Sequence, residues 1–239
     1  MGRAFEVRKA AMAKTAAAKT KVYSRFGKEI YIAAKAGVPD PEMNVSLKRT
    51  IEKAKANQVP ADVIKRAIEK AKGGSDESYT SVRYEGFGPG NCTVMVECLT
   101  DNVNRTVSDV RTCFNKSKSK LGIAGSVSHQ YNHVGLLQFK NSDEEAVMDC
   151  LIMAEVELLE IELNGEDMQV SVAPTDLYKA KEAIEAQFPD VTFDVLENTF
   201  IPVDSVKISG DDVELFNRLI TMLDDCDDVQ EVYHNAEIE

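Results

Sequence analysis

The densest run of side chains that could bind a ligand is "LTDNVNRTVSDVRTCF", Leu99–Phe114. Its carboxylate, amide, hydroxyl and guanidinium groups fall within eleven positions: Asp101, Asn102, Asn104, Arg105, Ser108 and Arg111. Asp101 or Asn102 suits the N-cap of a helix, where a side-chain oxygen accepts hydrogen bonds from otherwise unpaired amides. Capping does not require the other four, which lie on or beside a separate face of the helix. We interpret the stretch as a helix cap plus a candidate contact face for a partner or an RNA.

The same helix carries an apolar stripe. Val103, Val107, Val110 and Phe114 recur at helical spacing, which predicts a buried face. Arg105 and Asp109 lie four residues apart, so an ion pair along the helix is the structural explanation for that arginine. The sequence alone leaves open whether Arg105 serves such a pair or a partner.

The stretch "YEGFGPGN", Tyr84–Asn91, is rich in glycine and could suggest a phosphate-binding loop. It lacks the GxGxxG pattern and a following Lys-Ser/Thr, and the segment after it is a strand rather than a helix. We therefore predict a tight turn that leads into a strand. Tyr84 and Phe87 are candidate contacts for a partner or an RNA on that turn.

Catalytic and metal-binding patterns are absent from the sequence. There is no GxSxG, HExxH or SxxK motif, and "HQYNH" has no nearby carboxylate or thiol pair that would complete a zinc site. The acidic run "DDCDD", Asp224–Asp228, lacks EF-hand spacing, so we interpret it as a solvated turn between a helix and a strand. Five scattered cysteines without a CxxC pair are typical of reduced thiols in the cytosol. The sequence predicts no catalytic residue, no metal and no cofactor.

Charge is distributed very unevenly along the chain. Residues 1–74 hold 17 Lys and Arg against 7 Asp and Glu, whereas residues 75–239 hold 11 against 33. A segment with a net charge of +10 next to a body of −22 favours a nucleic-acid contact over a merely solvated surface. The candidate nucleic-acid-binding residues are Arg3, Arg8, Lys9, Lys14, Lys19, Lys21, Arg25, Lys28, Lys48, Arg49, Lys53, Lys65 and Arg66.

The elements that would position these cations are helices. Residues 1–37 are predicted to be helical, with Gly27 as a point where the helix could break. Two further helices follow the turn "VPDPEMN", and Gly73-Gly74 ends the third. Their predicted buried positions are Phe26, Ile30, Ala33, Leu47, Ile51, Ala54, Val63, Ile64, Ala67, Ile68 and Ala71.

Beyond the polar segment "GGSDESYTS", strand and helix patterns alternate. Residues 134–200 give β-α-β-β-α-β, the ferredoxin-like signature, and the flanking pieces give β-α-β twice. Residues 125–140 fit either strand-turn-strand or one long strand. The predicted fold class is α+β and multidomain, with a basic helical domain (1–76) followed by two ferredoxin-like α/β domains. The first of these is discontinuous (77–132 plus 203–239), and the second is inserted into it (133–202).

Four stretches together resemble the YebC/PmpR family of probable transcriptional regulators, which also includes mitochondrial translational activators. They are residues 21–74, "YEGFGPGN", "LTDNVNRTVSDVRTCFNK" and "LGIAGSVSHQY". The resemblance implies three domains, a cytoplasmic location, no cofactor and no catalysis. It departs at "GRAFE" (2–6), where the family has Gly-His-Ser-Lys-Trp, at "SKSK" (117–120), and at His129, where a tryptophan is expected. These departures are typical of a divergent bacterial paralogue.

Two functions follow as hypotheses from charge and resemblance. The first is a regulator that binds DNA; its helices offer Arg49 and Arg66, but the rest is rich in lysine, which suits phosphate better than base edges. The second is a ribosome-associated translation factor that contacts rRNA and relieves stalling at proline-rich sequences. A protein-interaction module is a third, weaker option. No apolar run approaches the roughly 20 residues of a membrane span, and we expect a monomer.

Overall fold

A computed structural model describes residues 3–73, 78–141 and 143–238, with side chains from residue 19 onward. The chain divides into two compact units. The first unit contains residues 1–124, 207–232 and 238–239, and the second unit contains residues 125–206 and 233–237. The domain boundaries after residues 76, 132 and 202 stay predictions.

The helices are α1 (Arg3–Lys35), α2 (Val45–Ala56), α3 (Ala61–Lys72), α4 (Val103–Lys116), α5 (Glu144–Met153), α6 (Leu177–Gln187) and α7 (Asp211–Asp224). The strands are β1 (Thr80–Phe87), β2 (Thr93–Thr100), β3 (Lys120–Leu121), β4 (Tyr131–Lys140), β5 (Leu158–Asn164), β6 (Asp167–Val172), β7 (Phe193–Pro202), β8 (Val206–Ile208), β9 (Val229–His234) and β10 (Ala236–Ile238). The predicted α+β class is confirmed.

The basic segment folds as three helices around one apolar cluster. Phe26, Ile30 and Leu47 are fully buried there, together with Ala54. Every position predicted to face inward belongs to this cluster or packs against it. The helix α1 continues through Gly27, where a Cβ would meet no atom within 4 Å, so the predicted break is wrong.

One asparagine joins the end of α1 to the start of α2. The Asn44 Nδ2 group donates to the carbonyl oxygens of Ala33, at 2.9 Å, and Val38, at 3.0 Å. Its Oδ1 accepts from the Leu47 amide at 3.0 Å and so caps α2. Within the turn "VPDPEMN", the Asp40 Oδ1 atom also accepts from the Glu42 amide at 3.0 Å, so Asn44 and Asp40 together hold the turn.

The sheet of the first unit has the strand order β3-β1-β2-β9. Its hairpin β1–β2 corrects the sequence analysis, because Tyr84–Phe87 lie inside β1 and the turn begins only at Gly88. That turn is closed by the Gly88 amide, which donates to the Cys92 carbonyl at 2.7 Å. Gly90 has φ of +66°, a conformation that favours glycine.

A second glycine of the hairpin is required by packing. A Cβ on Gly86 would lie 2.5 Å from Phe114 Cε1 and 2.7 Å from the Lys120 carbonyl oxygen. Strand β3 and helix α4 can approach β1 only because no side chain is present there. The glycines of "YEGFGPGN" are thus explained by a close approach and a turn.

The second unit has the ferredoxin-like arrangement that the sequence predicted. Its strand order is β5-β6-β4-β7, and β4 pairs antiparallel with both β6 and β7. The helices α5 and α6 cover one face of the sheet, over a core that includes Leu137, Phe139 and Val170. A 3₁₀ turn at Ser128–Gln130 precedes β4, so residues 131–140 form one long strand. A separate two-stranded ladder pairs β8 with β10.

Candidate nucleic-acid interface

A cleft of about 490 Å³ lies between α1 and α3. Its lining residues are Thr20, Tyr23, Ser24, Gly27, Lys28, Tyr31, Val63, Arg66, Ala67, Lys70 and Tyr79. Three of them are cations and three are tyrosines, and none of these described lining residues is acidic. A positive groove with interleaved aromatic rings is the pattern that binds the backbone and bases of nucleic acids.

The rings and cations of this cleft are organised around Tyr31. Tyr31 and Tyr79 meet edge to face, with ring centroids 5.7 Å apart. The Lys70 ammonium lies 5.7 Å from the centroid of Tyr31, and the Lys35 ammonium lies 5.4 Å from it. Such contacts hold lysines beside the aromatic surface. The amphipathic pattern of α3 places its buried residues against α1 and leaves its cations along the rim.

Arg66 is held only weakly in its present position. Its Nη2 atom lies 2.6 Å from Asp62 Oδ2, but both side chains are largely exposed. An exposed ion pair one turn apart on a helix contributes little to stability, so a phosphate can compete for this arginine.

A second groove, of about 430 Å³, runs along α2 and α3. Its lining residues include Lys55, Lys65 and Lys72 above an apolar floor, and also Asp40 and Glu69. On α2, Arg49 and Lys53 are half-buried and Lys48 is exposed. The cations of α3 are all exposed: Lys65, Arg66, Lys70 and Lys72. The face of α3 therefore offers the more open charge.

The candidate cations of α1 divide into three groups. Lys19 is exposed and Lys21 is half-buried. The side chains of Arg3, Arg8, Lys9 and Lys14 lie outside the described residues. Arg25 and Lys28 point to the body of the first unit and make contacts there.

Those contacts account for Arg25 and Lys28 without a nucleic acid. Arg25 donates to the Gln230 carbonyl at 2.7 Å and pairs with Glu231 at 2.9 Å. Lys28 donates to the Asp227 carbonyl at 2.9 Å and pairs with Asp228 at 3.0 Å. Both side chains tie α1 to the start of β9, so we leave Arg25 out of the proposed surface and treat Lys28 as the inner end of the cleft.

The Leu99–Phe114 stretch is a helix cap built over a buried carboxylate. Asn102 caps α4 by accepting from the Arg105 amide at 3.1 Å, as predicted. Asp228 Oδ2 lies 2.8 Å from Arg105 Nη2, 2.9 Å from Thr106 Oγ1 and 3.1 Å from Thr100 Oγ1. Burial raises the pKa of Asp228, but hydrogen bonds from Arg105, Lys28 and Thr106 outweigh it and lower the pKa to about 2.

The pairing of Arg105 and the buried face of α4 both correct the sequence analysis. Arg105 pairs with Asp228 and with Asp101, one turn before it, rather than with Asp109. Val103 is exposed and Val107 half-buried, whereas Thr106 and Cys113 join Val110 and Phe114 inside. The buried face is rotated toward Asp228, because the hydroxyl of Thr106 serves that carboxylate.

The other contact candidates near α4 vary in exposure. Asn104 and Arg111 are exposed. Tyr84 is half-buried, and its hydroxyl lies 3.4 Å from the Val103 carbonyl. Phe87 is 36% exposed at the end of β1. The structure does not gather these residues into one site.

A cleft of about 750 Å³ beside α4 and the end of α7 is unsuited to phosphate. Its charged lining residues are Lys28, Arg105, Asp101, Asp109, Asp225, Asp227 and Asp228. Carboxylates outnumber cations there, and the cations already face Asp228. The positive surface of the first unit therefore lies on the helical side.

Sequence reasoning missed Asp228, which it placed in a solvated turn. Asp228 is 7% exposed and receives its ammonium partner from a residue 200 positions away. The sequence offered one indication of its burial, since Asp228 directly precedes the apolar residue that begins β9. Asp225 and Asp227 are exposed.

Across residues 3–73, 78–141 and 143–238, no group of three or more His, Cys, Asp or Glu side chains is placed to hold a metal ion. The described helices include none that is long and apolar enough to cross a membrane.

These features define a class of protein, one with a cationic three-helix segment ahead of an acidic α/β body. Comparison with protein families matches residues 3–74 to the TACO1/YebC protein N-terminal domain, and residues 79–236 to the TACO1/YebC second and third domain. The chain belongs to the TACO1/YebC family.

Individual relatives match along the whole chain. A probable transcriptional regulatory protein of Vibrio parahaemolyticus is 54% identical over 100% of both chains. One from Pseudoalteromonas translucida is 54% identical over 99% of this chain and 98% of its own length. The crystal structure of a conserved hypothetical protein from Aquifex aeolicus superposes with a TM-score of 0.75 at 33% identity, over 92% of this chain and 90% of that one.

Proposed function

We propose that this chain is a nucleic-acid-binding regulator of gene expression that contacts phosphate groups through the α1–α3 cleft. The carrying observation is the composition of that cleft: the exposed cations Arg66 and Lys70 lie beside the half-buried rings of Tyr23 and Tyr79, and no described lining residue is acidic. The names of the relatives, probable transcriptional regulatory proteins, support a regulatory role and make DNA the first target to test.

The chemistry of the cleft favours backbone contacts over reading of base edges. Its exposed cations are Arg66 and Lys70, and the neighbouring groove along α2 and α3 adds Lys55, Lys65 and Lys72. Lysine is a point charge that suits phosphate, and no asparagine or glutamine lines the cleft among its described residues. Binding is thus expected to depend strongly on salt and weakly on sequence.

A ribosomal role, with rRNA as the target, is the second candidate. The half-buried Tyr23 and Tyr79 favour it, because sequence-tolerant stacking on aromatic rings suits unpaired bases, which RNA loops present and duplex DNA does not. In this case the protein would act as a translation factor that relieves stalling at proline-rich sequences.

The test is crosslinking in cells followed by sequencing of the recovered nucleic acid. The variant is Arg66→Glu with Lys70→Glu, and the control is Lys140→Glu with Lys181→Glu, which changes the net charge equally in the second unit. We expect recovery to fall for the first pair and not for the control pair. Equal recovery from both would contradict the proposal.

The identity of the recovered nucleic acid separates the two candidates. Discrete DNA sites that vanish in the Arg66→Glu, Lys70→Glu variant would support transcriptional regulation. Ribosomal RNA that vanishes would support the ribosomal role, and a reporter with a proline-rich stretch should then lose expression in the same variant.

A further inference from the structure

The second unit is too acidic to share the target of the α1–α3 cleft. Residues 125–206 and 233–237 hold 3 Lys and Arg against 18 Asp and Glu, a net charge of −15. Nucleic acid is repelled by such a field, whereas a cationic polypeptide is attracted to it. The field of this unit therefore favours a partner of the opposite charge over a nucleic acid.

A cleft of about 490 Å³ in this unit is the place where such a partner could bind. It is lined by Tyr131, Asn132, His133, Val134, Leu159, Glu160, Ser171 and Ile201. Glu160 is the one acidic residue among these, and no Lys or Arg belongs to the described lining. The exposed side chain of Leu159, with half of its surface accessible, adds an apolar patch at the rim.

At this cleft, strand β4 extends beyond the end of its ladder with β6. Its ladder with β6 begins at Gly135, whereas its ladder with β7 extends back to Tyr131. Residues 131–134 therefore have β7 as their one neighbouring strand in the described sheet. The pairing of β5 with β6 is irregular on the other side of this cleft, with a register shift between Leu158 and Glu160. A strand end of this kind is where an extended peptide can add to a sheet.

A buried hydroxyl in the cleft is left without a partner. Ser171 is 3% exposed, and its Oγ atom has no hydrogen-bond partner among the described residues. Buried polar groups are nearly always hydrogen-bonded, so this one points to a ligand that supplies the missing donor or acceptor. The pairing register places Ser171 opposite Glu160 on the neighbouring strand, so that both side chains lie on the same face.

We propose that this cleft binds an extended, Lys- or Arg-rich segment of a partner protein. The segment would lie along residues 132–134 of β4, with one cationic side chain on Glu160 and a backbone or side-chain group on Ser171. An alternating apolar residue would cover Leu159, because successive side chains of a strand point to opposite faces. The inference does not rest on the nucleic-acid function, since it uses other residues and the opposite charge.

The experiment measures fluorescence anisotropy of a labelled peptide of alternating lysine and valine, about twelve residues long, with the full chain. A peptide with glutamate in place of lysine is the probe control. The Glu160→Gln variant should bind the lysine peptide at least about fivefold more weakly, because it loses the one charged contact. Glu182→Gln, an exposed change on α6 that alters the net charge equally, should bind like the unmodified chain.

Ser171→Ala separates a ligand-binding hydroxyl from a structural one. Removing an unpartnered buried hydroxyl should leave the thermal midpoint unchanged or raised, while peptide affinity falls about threefold. Backbone amide shifts on peptide addition should concentrate at residues 132–134. Nucleic-acid binding should be unaffected by either variant, so failure of this proposal is distinguishable from failure of the proposed function.

Several outcomes would overturn the proposal. Equal weakening by Glu160→Gln and Glu182→Gln would mean that only the general field attracts the peptide. Spermidine that shifts the same amides as strongly as the peptide would mean a small-cation site. Self-association that Glu160→Gln abolishes, without peptide binding, would identify a second copy of this chain as the occupant.

Discussion

Side chains from three elements of the first unit contact the carboxylate of Asp228. Its carboxylate lies within hydrogen-bonding distance of Lys28 from α1, Thr100 from β2, and Thr106 and Arg105 from α4. A buried carboxylate costs little only when such donors surround it. The side chain thus fixes the position of α1, which forms one wall of the α1–α3 cleft.

Replacing Asp228 should therefore destabilise the protein strongly. We expect Asp228→Ala to lower the free energy of unfolding by about 3 kcal/mol, because Lys28 and the two hydroxyls lose their acceptor. Urea denaturation followed by circular dichroism measures this loss. Asp227→Ala is the control, since the exposed Asp227 contacts Lys28 through its carbonyl alone among the contacts described. Equal losses in the two variants would contradict the account.

The low pKa of Asp228 also predicts a dependence of stability on pH. Because folding lowers this pKa from 3.8 to about 2, the carboxylate stabilises the fold above about pH 4. That contribution is lost as the pH falls toward 2. The stability gap between the unmodified chain and Asp228→Asn should be constant near neutrality and narrow below about pH 4. A gap that widens on acidification would refute this role.

Two glycines allow a matched test of packing. Gly86→Ala places a methyl group 2.5 Å from Phe114 Cε1, and we expect it to cost about 1–3 kcal/mol of stability. Gly27→Ala meets open space within α1 and should gain about 0.5–1 kcal/mol from helix propensity. Thermal melts of the two variants should shift in opposite directions. A neutral Gly86→Ala would mean that β3 and α4 can move apart.

Helix α4 and the segment that follows α7 meet at two cysteines. The Sγ atoms of Cys113 and Cys226 lie 3.6 Å apart. Burial raises the pKa of Cys226 to about 12, and it raises the pKa of Cys113 as well. Since the thiolate is the nucleophile, both thiols are held in an unreactive form at neutral pH.

Alkylation should therefore distinguish the folded from the unfolded chain. Burial raises the pKa of all five cysteines, to about 11 for Cys92 and about 12 for Cys98. We expect iodoacetamide to label the folded chain slowly at pH 7. In urea it should add five labels per chain, one on each cysteine, as counted by mass spectrometry. Rapid labelling of Cys113 or Cys226 in the folded state would show that burial does not suppress the thiolate.

Local periodicity was enough to predict most elements. The inward residues of α1 to α3 and the strand order of the second unit both follow from apolar spacing and chain order. Strand β1 was missed because its Gly86 and its turn glycines mimic a loop, although Gly86 serves close packing. The hydroxyl of Thr106 in the buried face of α4 could not be predicted either, since its reason lies on Asp228, 122 positions away.

The sequence predicted the positive charge of the candidate site but not its geometry. The sequence located the basic segment and several of its exposed lysines, but charge alone could not tell Arg66 from Arg25. The partners of Arg25, Gln230 and Glu231, lie about two hundred positions further along the chain. The tyrosines of the cleft were not predicted, because Tyr79 follows the polar segment and reaches Tyr31 only in the fold.

At the scale of the whole molecule, the chain carries two fields of opposite sign. The net charge of −12 is the sum of +10 for residues 1–74 and −22 for residues 75–239. A polyanion is attracted by the first and repelled by the second, so we expect it to bind the helical segment.

The central claim is that the α1–α3 cleft binds the nucleic-acid backbone. The most direct measurement is the affinity of the full chain for a labelled DNA duplex and a labelled RNA stem-loop over a series of salt concentrations. Log affinity should fall linearly with log salt, with a slope near −0.9 per phosphate contacted in the duplex. Arg66→Glu with Lys70→Glu should weaken binding about tenfold or more at low salt and flatten that slope, whereas Lys140→Glu with Lys181→Glu should change neither. An unchanged slope and affinity in the first variant would contradict the account.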